Sequence, residues 1–369
     1  MTHLVSLSLA LCRSPSLSSV AVLSPLPLLI AHFIIAPTIV LSSTTMQREP
    51  RFLGVPSKTG IERFSLRDWQ TIRSFVEGGS WMNTEPVLES DRLDPLLAEN
   101  LPYGHFMLGF DFHLTENGPK LIEINTNAGG LATVFEIATS SRDRIELASR
   151  FVDALLREYR AFELKTSRTR CSLSSPSSPN DCSSMADGSV VGVGNHLPTV
   201  VIVDDNVIKQ KMYPEMLEFA RILDAANIRT YVASPEDLVL RDDAMYLVRS
   251  TTDGEAPEQI RVDFLYNRIT DFRLEEASHQ HLREAAIKGL VCLSPHPAAY
   301  VRYADKRNLL RIADPIVPTS LLYGERAADH WVKTKKQWVF KPSVGMSLFV
   351  NHSHQPHHHR DQNRLLTME

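Results

Sequence analysis

Two adjacent stretches of the chain alternate between apolar and polar residues, with the period of two that is typical of half-buried β-strands. The first reads LGFDFHL over residues 108–114, and the second reads LIEIN over residues 121–125. The letters ENG at 116–118 lie between them and are a turn signal. The pattern therefore predicts a β-hairpin with one apolar face for a core and one polar face.

The polar face of this hairpin carries the candidate chemistry. We expect Thr115 to pair with Pro119 across a three-residue loop. That register places Asp111 opposite Glu123, with Asn125 two residues further along the same face. Facing carboxylates repel each other unless a cation lies between them, and oxygen ligands are what Mg²⁺ prefers. The residues alone leave two interpretations open, a metal site and an edge hairpin whose polar face meets water.

Helical spacing appears in two further stretches. Apolar residues at 145, 148, 152 and 155 predict a helix from Ser141 to Tyr159 with these positions in the core. Further along, a helical pattern over 213–226 lies between the short apolar runs 199–203 and 230–233. A strand, helix, strand order predicts a parallel sheet, so the fold class expected is α/β.

The first 47 residues differ from the rest of the chain. The run from Ala21 to Leu41 is apolar and long enough to cross a bilayer, which takes about 20 residues. It contains three prolines, which break an unsupported helix, and Arg13 is the only charged residue before Arg48. Two interpretations stay open: a signal or membrane anchor, and a disordered leader with translation starting at Met46.

Two other segments lack the apolar side chains needed for a packed core. Residues 166–198 are rich in serine, proline and glycine and are expected to form a disordered linker. Residues 351–369 carry five histidines without a pattern. A histidine cluster can bind a divalent metal. Without a scaffold to hold the ligands, however, the interpretation we favour is a disordered, solvated tail.

The overall charge and the cysteines narrow the classes of function. The chain has 369 residues and a net charge of −4, so it lacks the basic excess that nonspecific nucleic-acid binding needs. Its four cysteines form no Cys-x-x-Cys pair, which gives no support to a disulfide scaffold or a structural zinc site. We therefore expect a cytoplasmic protein with no nucleic-acid partner. A real signal in the leader would instead make it secreted or anchored.

The hairpin and the loop after it carry a family resemblance. The second strand continues as Glu123-Ile124-Asn125-Thr126, and the glycine-glycine-leucine sequence 129–131 follows. This resembles the metal-binding strand of ATP-grasp ligases, in particular the circularly permuted, eukaryotic-type glutathione synthetases. The resemblance implies an ATP-grasp-like fold with a smaller parallel α/β substrate domain. It also implies Mg²⁺ bound by Glu123 and Asn125, with Asp111 as a further ligand.

Later segments follow in the order that this resemblance implies. Lys306, in an Asp-Lys segment, and Lys341, in a Lys-Pro strand, would hold the phosphates of ATP, and Lys341 would be the catalytic lysine. Asn206, Gln210 and Arg268 resemble residues that bind the peptide substrate, with Arg268 holding a carboxylate. From the residues alone, a structural ion pair of Arg268 with Asp271 or Glu275 stays open as well.

The resemblance implies an ATP-dependent carboxylate-amine ligase that uses ATP and Mg²⁺ and joins a small-molecule carboxylate to an amine through an acyl phosphate. No membrane association is expected, and the assembly considered is a homodimer. The expected segments are a leader at 1–47, an N-terminal ATP-grasp part at 48–165, the linker at 166–198, the substrate domain at 199–300, the start of the nucleotide-binding domain at 301–350 and the tail at 351–369.

The chain also departs from the family pattern. The loop after Lys341 contains one glycine, at Gly345, where the family has a glycine-rich loop that also carries a metal-binding carboxylate. Gly109 stands where the family has an arginine for the nucleotide. The family also continues beyond the point where this sequence stops, so the resemblance is to a C-terminally truncated member. Two functional classes therefore stay open, a ligase and a catalytically inactive ATP-grasp remnant that binds a small molecule or another protein.

Overall fold

The structure is a computed structural model of the 369-residue chain. It describes residues 6–11, 38–40, 55–57, 60–62, 65–79, 81, 106–131, 141–173, 196–250, 256–318, 320–322, 338–342 and 364–368. Over these residues the fold is mixed α/β, with both parallel and antiparallel sheets, as the sequence predicts.

The described residues form both strands and helices. The strands are β1 Ser6–Leu11, β2 Thr38–Val40, β3 Val55–Ser57, β4 Gly60–Glu62, β5 Leu108–Thr115, β6 Gly118–Asn125, β7 Val200–Val203, β8 Thr230–Ala233, β9 Leu238–Arg241, β10 Ala244–Arg249, β11 Glu258–Val262, β12 Phe264–Asn267, β13 Cys292–Ser294, β14 Ser320–Leu322, β15 Trp338–Pro342 and β16 Arg364–Met368. The helices are α1 Leu66–Gly78, α2 Ser141–Leu173, α3 Tyr213–Ala225, α4 Gln280–Ile287 and the short α5 Pro297–Ala299.

The predicted hairpin is formed by β5 and β6, but its turn differs from the prediction. Thr115 pairs with Gly118 rather than with Pro119, so the loop has two residues. Thr115 Oγ1 donates to the Gly118 carbonyl at 2.7 Å, and Gly118 adopts a positive φ of 95°, which glycine tolerates. A shift in register between Asp111 and Phe112 compensates for the shorter loop. As a result Asp111 still lies opposite Glu123, as predicted.

The hairpin belongs to a sheet with the order β2-β1-β5-β6. Strand β1 pairs antiparallel with β5, and both β1 and β2 come from the segment 1–47 that we expect to be a disordered or signal-like leader. Leu7, Leu9 and Leu11 alternate with small residues in β1, so this part of the leader has the period of a strand. The other residues of 1–47 lie outside the described ranges.

Helix α2 is longer than predicted, and of its four predicted core residues Leu155 is buried, Ala148 and Val152 are partly buried against the core, and Ile145 is exposed. It begins at Ser141 as expected but continues past Tyr159 to Leu173, so residues 166–173 of the predicted linker are helical. Ile145, which the spacing places in the core, is 71% exposed. Among the described side chains of α2, the buried ones are Leu147, Phe151, Ala154, Leu155, Glu158, Tyr159 and Phe162.

The predicted strand, helix, strand unit is present as β7, α3 and β8. It belongs to a parallel sheet with the order β13-β12-β7-β8. Alternate residues of β7 point into two apolar clusters, with Val200 and Ile202 in one and Val201 and Val203 in the other. The first cluster includes α2 and α3, where the rings of Phe151 and Phe219 stack at 4.7 Å. The parallel sheet is therefore buried on both faces, as such sheets usually are.

The described residues form three further antiparallel sheets, of which β3 and β4 make the smallest. Strands β9, β10 and β11 form another, and β14, β16 and β15 form the third in that order. Strand β16 lies inside the segment 351–369 that we predict to be a disordered tail. Leu365 and Leu366 pair with both β14 and β15, so tertiary pairing orders residues that have no clear pattern of their own. In the parts of the chain that the structure describes, no helix is both long and apolar enough to cross a membrane.

Candidate functional site

The hairpin brings the three predicted metal ligands together on one face. Asn125 Nδ2 donates to Asp111 Oδ2 at 3.0 Å and to Glu123 Oε1 at 3.3 Å. Asp111 and Glu123 are direct partners in the β5–β6 register, and all three side chains are half-buried. The carboxamide therefore connects two carboxylates that would otherwise repel each other.

Lys306 completes this cluster from a distant part of the sequence. Its Nζ lies 3.5 Å from Glu123 Oε2, and its side chain is only 6% exposed. The lysine begins a 3₁₀ turn whose preceding residue, Asp305, accepts from the Arg307 backbone N–H at 3.0 Å and also forms a buried ion pair with the Arg307 guanidinium. Asn308 Nδ2 donates to the carbonyls of Val301 and Arg302, both at 3.0 Å. These bonds fix the backbone that points Lys306 at the hairpin.

The side chains of this cluster supply part of the ligand set of a magnesium ion. Mg²⁺ is commonly held by one or two carboxylates together with water and substrate phosphates, and Asp111 with Glu123 supplies that number. The Asn125 amide presents its nitrogen to the carboxylates, and a half-turn of the amide would present its oxygen instead. Among the described residues there is no group of three or more His, Cys, Asp or Glu side chains that could hold a metal. A metal here would therefore need further oxygen ligands from water or from a bound molecule.

The loop after β6 connects the hairpin to the parallel sheet. Asn127 Nδ2 donates to the Arg268 carbonyl at 2.8 Å, and Arg268 Nη1 donates to the Ala128 carbonyl at 2.7 Å. A Cβ added to Gly129 would lie 3.0 Å from Met212 Cε and 3.6 Å from both Arg268 Nη2 and Glu215 Oε2. Glycine at this position lets the loop pass close to α3 and the arginine.

Arg268 is buried and its guanidinium already has protein partners. Nη1 also contacts the Tyr266 hydroxyl at 3.2 Å, and Nη2 lies 3.6 Å from Glu215 Oε2. Burial alone would lower the pKa of Arg268, but Tyr266 and Glu215 outweigh it and raise the pKa. The ion pair expected with Asp271 or Glu275 is thus replaced by one with Glu215. In this geometry Arg268 holds the loop rather than presenting its guanidinium to solvent.

The other predicted substrate residues lie at the same edge of the sheet. Asn206 and Gln210 follow β7, and Arg268 directly follows β12, which is its parallel neighbour. The carboxyl ends of parallel strands are where such sheets bind ligands. Asn206 is exposed with a left-handed backbone (φ 44°), and Gln210 Nε2 donates to the Asp205 carbonyl. Burial raises the pKa of the neighbouring Asp204 to about 6, although Asp205 N–H and Arg268 lower it.

The structure also places Gly109, where the resembling family has an arginine, and the backbone of Lys341. A Cβ on Gly109 would lie 2.8 Å from the Ala128 Cβ, so an arginine in its place would require the loop to move. Lys341 lies in β15 opposite Leu365, in a sheet separate from the hairpin sheet. The side chain of Lys341 lies outside the described residues, so its predicted phosphate contact stays a prediction.

Two further buried polar residues are Glu158, on α2, and His296, which follows β13. Glu158 is 4% exposed, and burial raises its pKa to about 8. Ser294 and the Phe106 backbone N–H lie close enough to lower this pKa somewhat, but neither makes a well-formed hydrogen bond to the carboxyl group. His296 is 1% exposed, and burial, with a smaller effect from Lys165, lowers its pKa to about 4. Both groups are therefore neutral at pH 7.

Sequence reasoning missed several residues that build the site. Glu215 appears on a helix with no motif around it, and His279, with its partners Asp205 and Asp271, has no local signal. The polar run 204–206 after a buried strand was the one available indication for Asp205.

No protein-family model matches the chain, and no curated protein is significantly similar to it.

Proposed function

We propose that the protein is an ATP-dependent carboxylate-amine ligase of the ATP-grasp type, resembling the glutathione synthetases. One observation carries this proposal: buried Lys306 lies against Glu123, beside Asp111 and Asn125. A buried ammonium beside two carboxylates is an arrangement suited to a polyphosphate and its cation. The hairpin and the segment that carries Lys306 are far apart in sequence, and the resemblance implies that both act at the nucleotide.

The residues would act by positioning and by charge. Asp111, Glu123 and Asn125 would hold Mg²⁺, which when bound screens the charge of the ATP phosphates. Lys306 and Lys341 would hold the phosphates, and Lys341 would balance charge on the γ-phosphoryl group during transfer. A substrate carboxylate oxygen would take this group as ADP leaves. The amine would then attack the acyl carbon, forming the amide as phosphate departs.

The carboxyl edge of the parallel sheet would bind the substrates. Asn206 is exposed there, and Gln210 lies on the same loop. Arg268 would act by holding the Ala128 carbonyl, which connects this edge to the hairpin. The loop 127–129 would thus fix the distance between the nucleotide and the substrate carboxylate.

Transfer of an oxygen isotope tests the ligase proposal. Candidate amino acids and small peptides with ¹⁸O-labelled carboxylates are incubated with Mg-ATP and an amine, and the released phosphate is analysed by mass spectrometry. An acyl phosphate route leaves one labelled oxygen in each phosphate. We expect this label with the wild type and with Glu116→Gln, which changes an exposed residue of the hairpin turn. We expect no label with Glu123→Gln.

The other outcomes separate the two functional classes. Labelled phosphate released by Glu123→Gln at the wild-type rate would contradict the site. Substrate binding by the folded wild type without any phosphate release would contradict the ligase and favour the inactive binding module.

A further inference from the structure

A buried histidine lies behind the substrate edge of the sheet and contacts two carboxylates. His279 is 0% exposed and ends the 3₁₀ turn that leads into α4. Its Nε2 lies 2.8 Å from Asp205 Oδ1, and its Nδ1 lies 2.9 Å from Asp271 Oδ2. Asp271 Oδ2 also accepts from the Glu276 backbone N–H at 2.8 Å. The histidine therefore joins the loop after β7 to the loop after β12.

The two partners determine the charge of this imidazole. An ionised carboxylate only accepts hydrogen bonds, and a neutral imidazole has one N–H, so both contacts are satisfied together only by the imidazolium. Burial would lower the pKa of His279, but the hydrogen bonds to Asp271 and Asp205 outweigh burial and raise it. The other titratable groups nearby are His281 on α4 and Glu236. Burial lowers the pKa of His281 and the charge of His279 lowers it further, whereas the Pro235 carbonyl and Glu236 act in the opposite direction.

Asp205 connects His279 to the rest of the loop 205–210. Its carbonyl accepts from Gln210 Nε2, and its backbone N–H donates to Asp204 Oδ1 at 2.9 Å. Asn206 follows with its left-handed backbone, and Val207 N–H donates to Ser234 Oγ at 3.1 Å. The Asp205 side chain is 35% exposed, so water competes with His279 for hydrogen bonds to its carboxylate. A charged imidazolium competes better than a neutral imidazole.

We propose that His279, as an imidazolium between Asp205 and Asp271, is a positioning residue that holds the loop 205–210 in its substrate-binding conformation. The substrate role of this loop rests on the proposed function, whereas the positioning itself does not. His279 touches no reacting atom. It acts by keeping Asp205, and through it Asn206 and Gln210, at the carboxyl edge of the sheet.

Nitrogen NMR tests the charge state in the unmodified protein. The protein is labelled with ¹⁵N-histidine, and the His279 resonances are assigned by their loss in His279→Gln. At pH 7 we expect both ring nitrogens of His279 to be protonated. In Asp205→Asn, which changes a partly exposed side chain and keeps Asp271, we expect the titration of His279 to move to lower pH. A neutral His279 in the wild type at pH 7 would overturn the proposal.

Hydrogen exchange tests the effect on the loop. The amides of Val207, Lys209 and Gln210 are hydrogen-bonded within or next to the loop. We expect them to exchange about tenfold faster in Asp205→Asn and His279→Gln than in the wild type, because a charge-assisted bond is lost. His196→Gln, an exposed histidine at the other edge of the sheet, should leave them unchanged. Unchanged exchange in a folded Asp205→Asn variant would also overturn the proposal.

Enzyme kinetics then separate this proposal from the proposed function. If the ligase activity is present, His279→Gln should raise KM for the substrate more than it lowers kcat. If no activity is found in any variant, the NMR and exchange results still decide whether His279 positions the loop.

Discussion

Replacing Arg268 with methionine is expected to lower the free energy of unfolding by about 3–5 kcal/mol. The guanidinium is 5% exposed and is paired with Glu215, whose side chain is 4% exposed. Methionine keeps much of the volume but removes the positive charge that lies 3.6 Å from this buried carboxylate. It also removes the hydrogen bonds to the Ala128 carbonyl and the Tyr266 hydroxyl. Urea unfolding followed by circular dichroism measures the loss.

Two further variants show whether the ion pair causes this loss. Arg229→Met changes an exposed arginine and should alter stability by no more than about 0.5 kcal/mol. The double variant Arg268→Met with Glu215→Met removes both charges, so it should recover part of the stability that the single variant loses. A double variant as unstable as the single one would show that the bonds to the 127–129 loop, and not the buried charge, carry the effect.

Replacing Glu158 with glutamine is expected to remove a pH dependence of stability. The pKa of this buried carboxyl is raised from 4.5 to about 8 in the folded state. Because the folded pKa is raised, the protein has its full stability below pH 4.5, where both states are protonated. Stability is then lost as the pH rises through about 8, since the unfolded chain ionises first.

The size of this effect follows from the shift. Each pKa unit is worth about 1.4 kcal/mol, so the loss at pH 8 is on the order of a few kcal/mol. We expect Glu158→Gln to be close to the wild type at pH 5 and clearly more stable at pH 8, measured by urea unfolding. The other titrating groups, such as His279, are common to both proteins and cancel in the difference. Glu163→Gln, a partly exposed residue of the same helix, should keep the wild-type slope. Parallel slopes for wild type and Glu158→Gln would contradict a neutral Glu158.

Local periodicity predicted the elements that depend on neighbouring residues. The alternation over 108–125 gave both strands of the hairpin, and the unit of β7, α3 and β8 follows the predicted order within one or two residues. The pairing of Asp111 with Glu123 was predicted from a loop that is one residue too long. The register shift next to Asp111 compensates for that difference, and no sequence pattern signals it.

Features that depend on distant residues could not be predicted in the same way. Ile145 satisfies the same helical spacing as the buried Leu155 but is exposed, and only the partners of α2 decide where its core face ends. Strand β16 forms because β14 and β15 offer edges to pair with. The pair of Arg268 with Glu215 depends in the same way on the folded chain. Lys306 was expected to hold the ATP phosphates from the order of segments in a resembling family, and its contact with Glu123 was not predicted.

Calorimetric titration of Mg-ATP into the protein tests the proposed nucleotide site most directly. We predict binding by the wild type and by Glu116→Gln, and an affinity lower by at least about tenfold in Glu123→Gln, which keeps the size of the side chain but removes the charge beside Lys306. Circular dichroism confirms that each variant is folded. Equal affinity in Glu123→Gln, or no binding by the folded wild type, would contradict a nucleotide site at this hairpin.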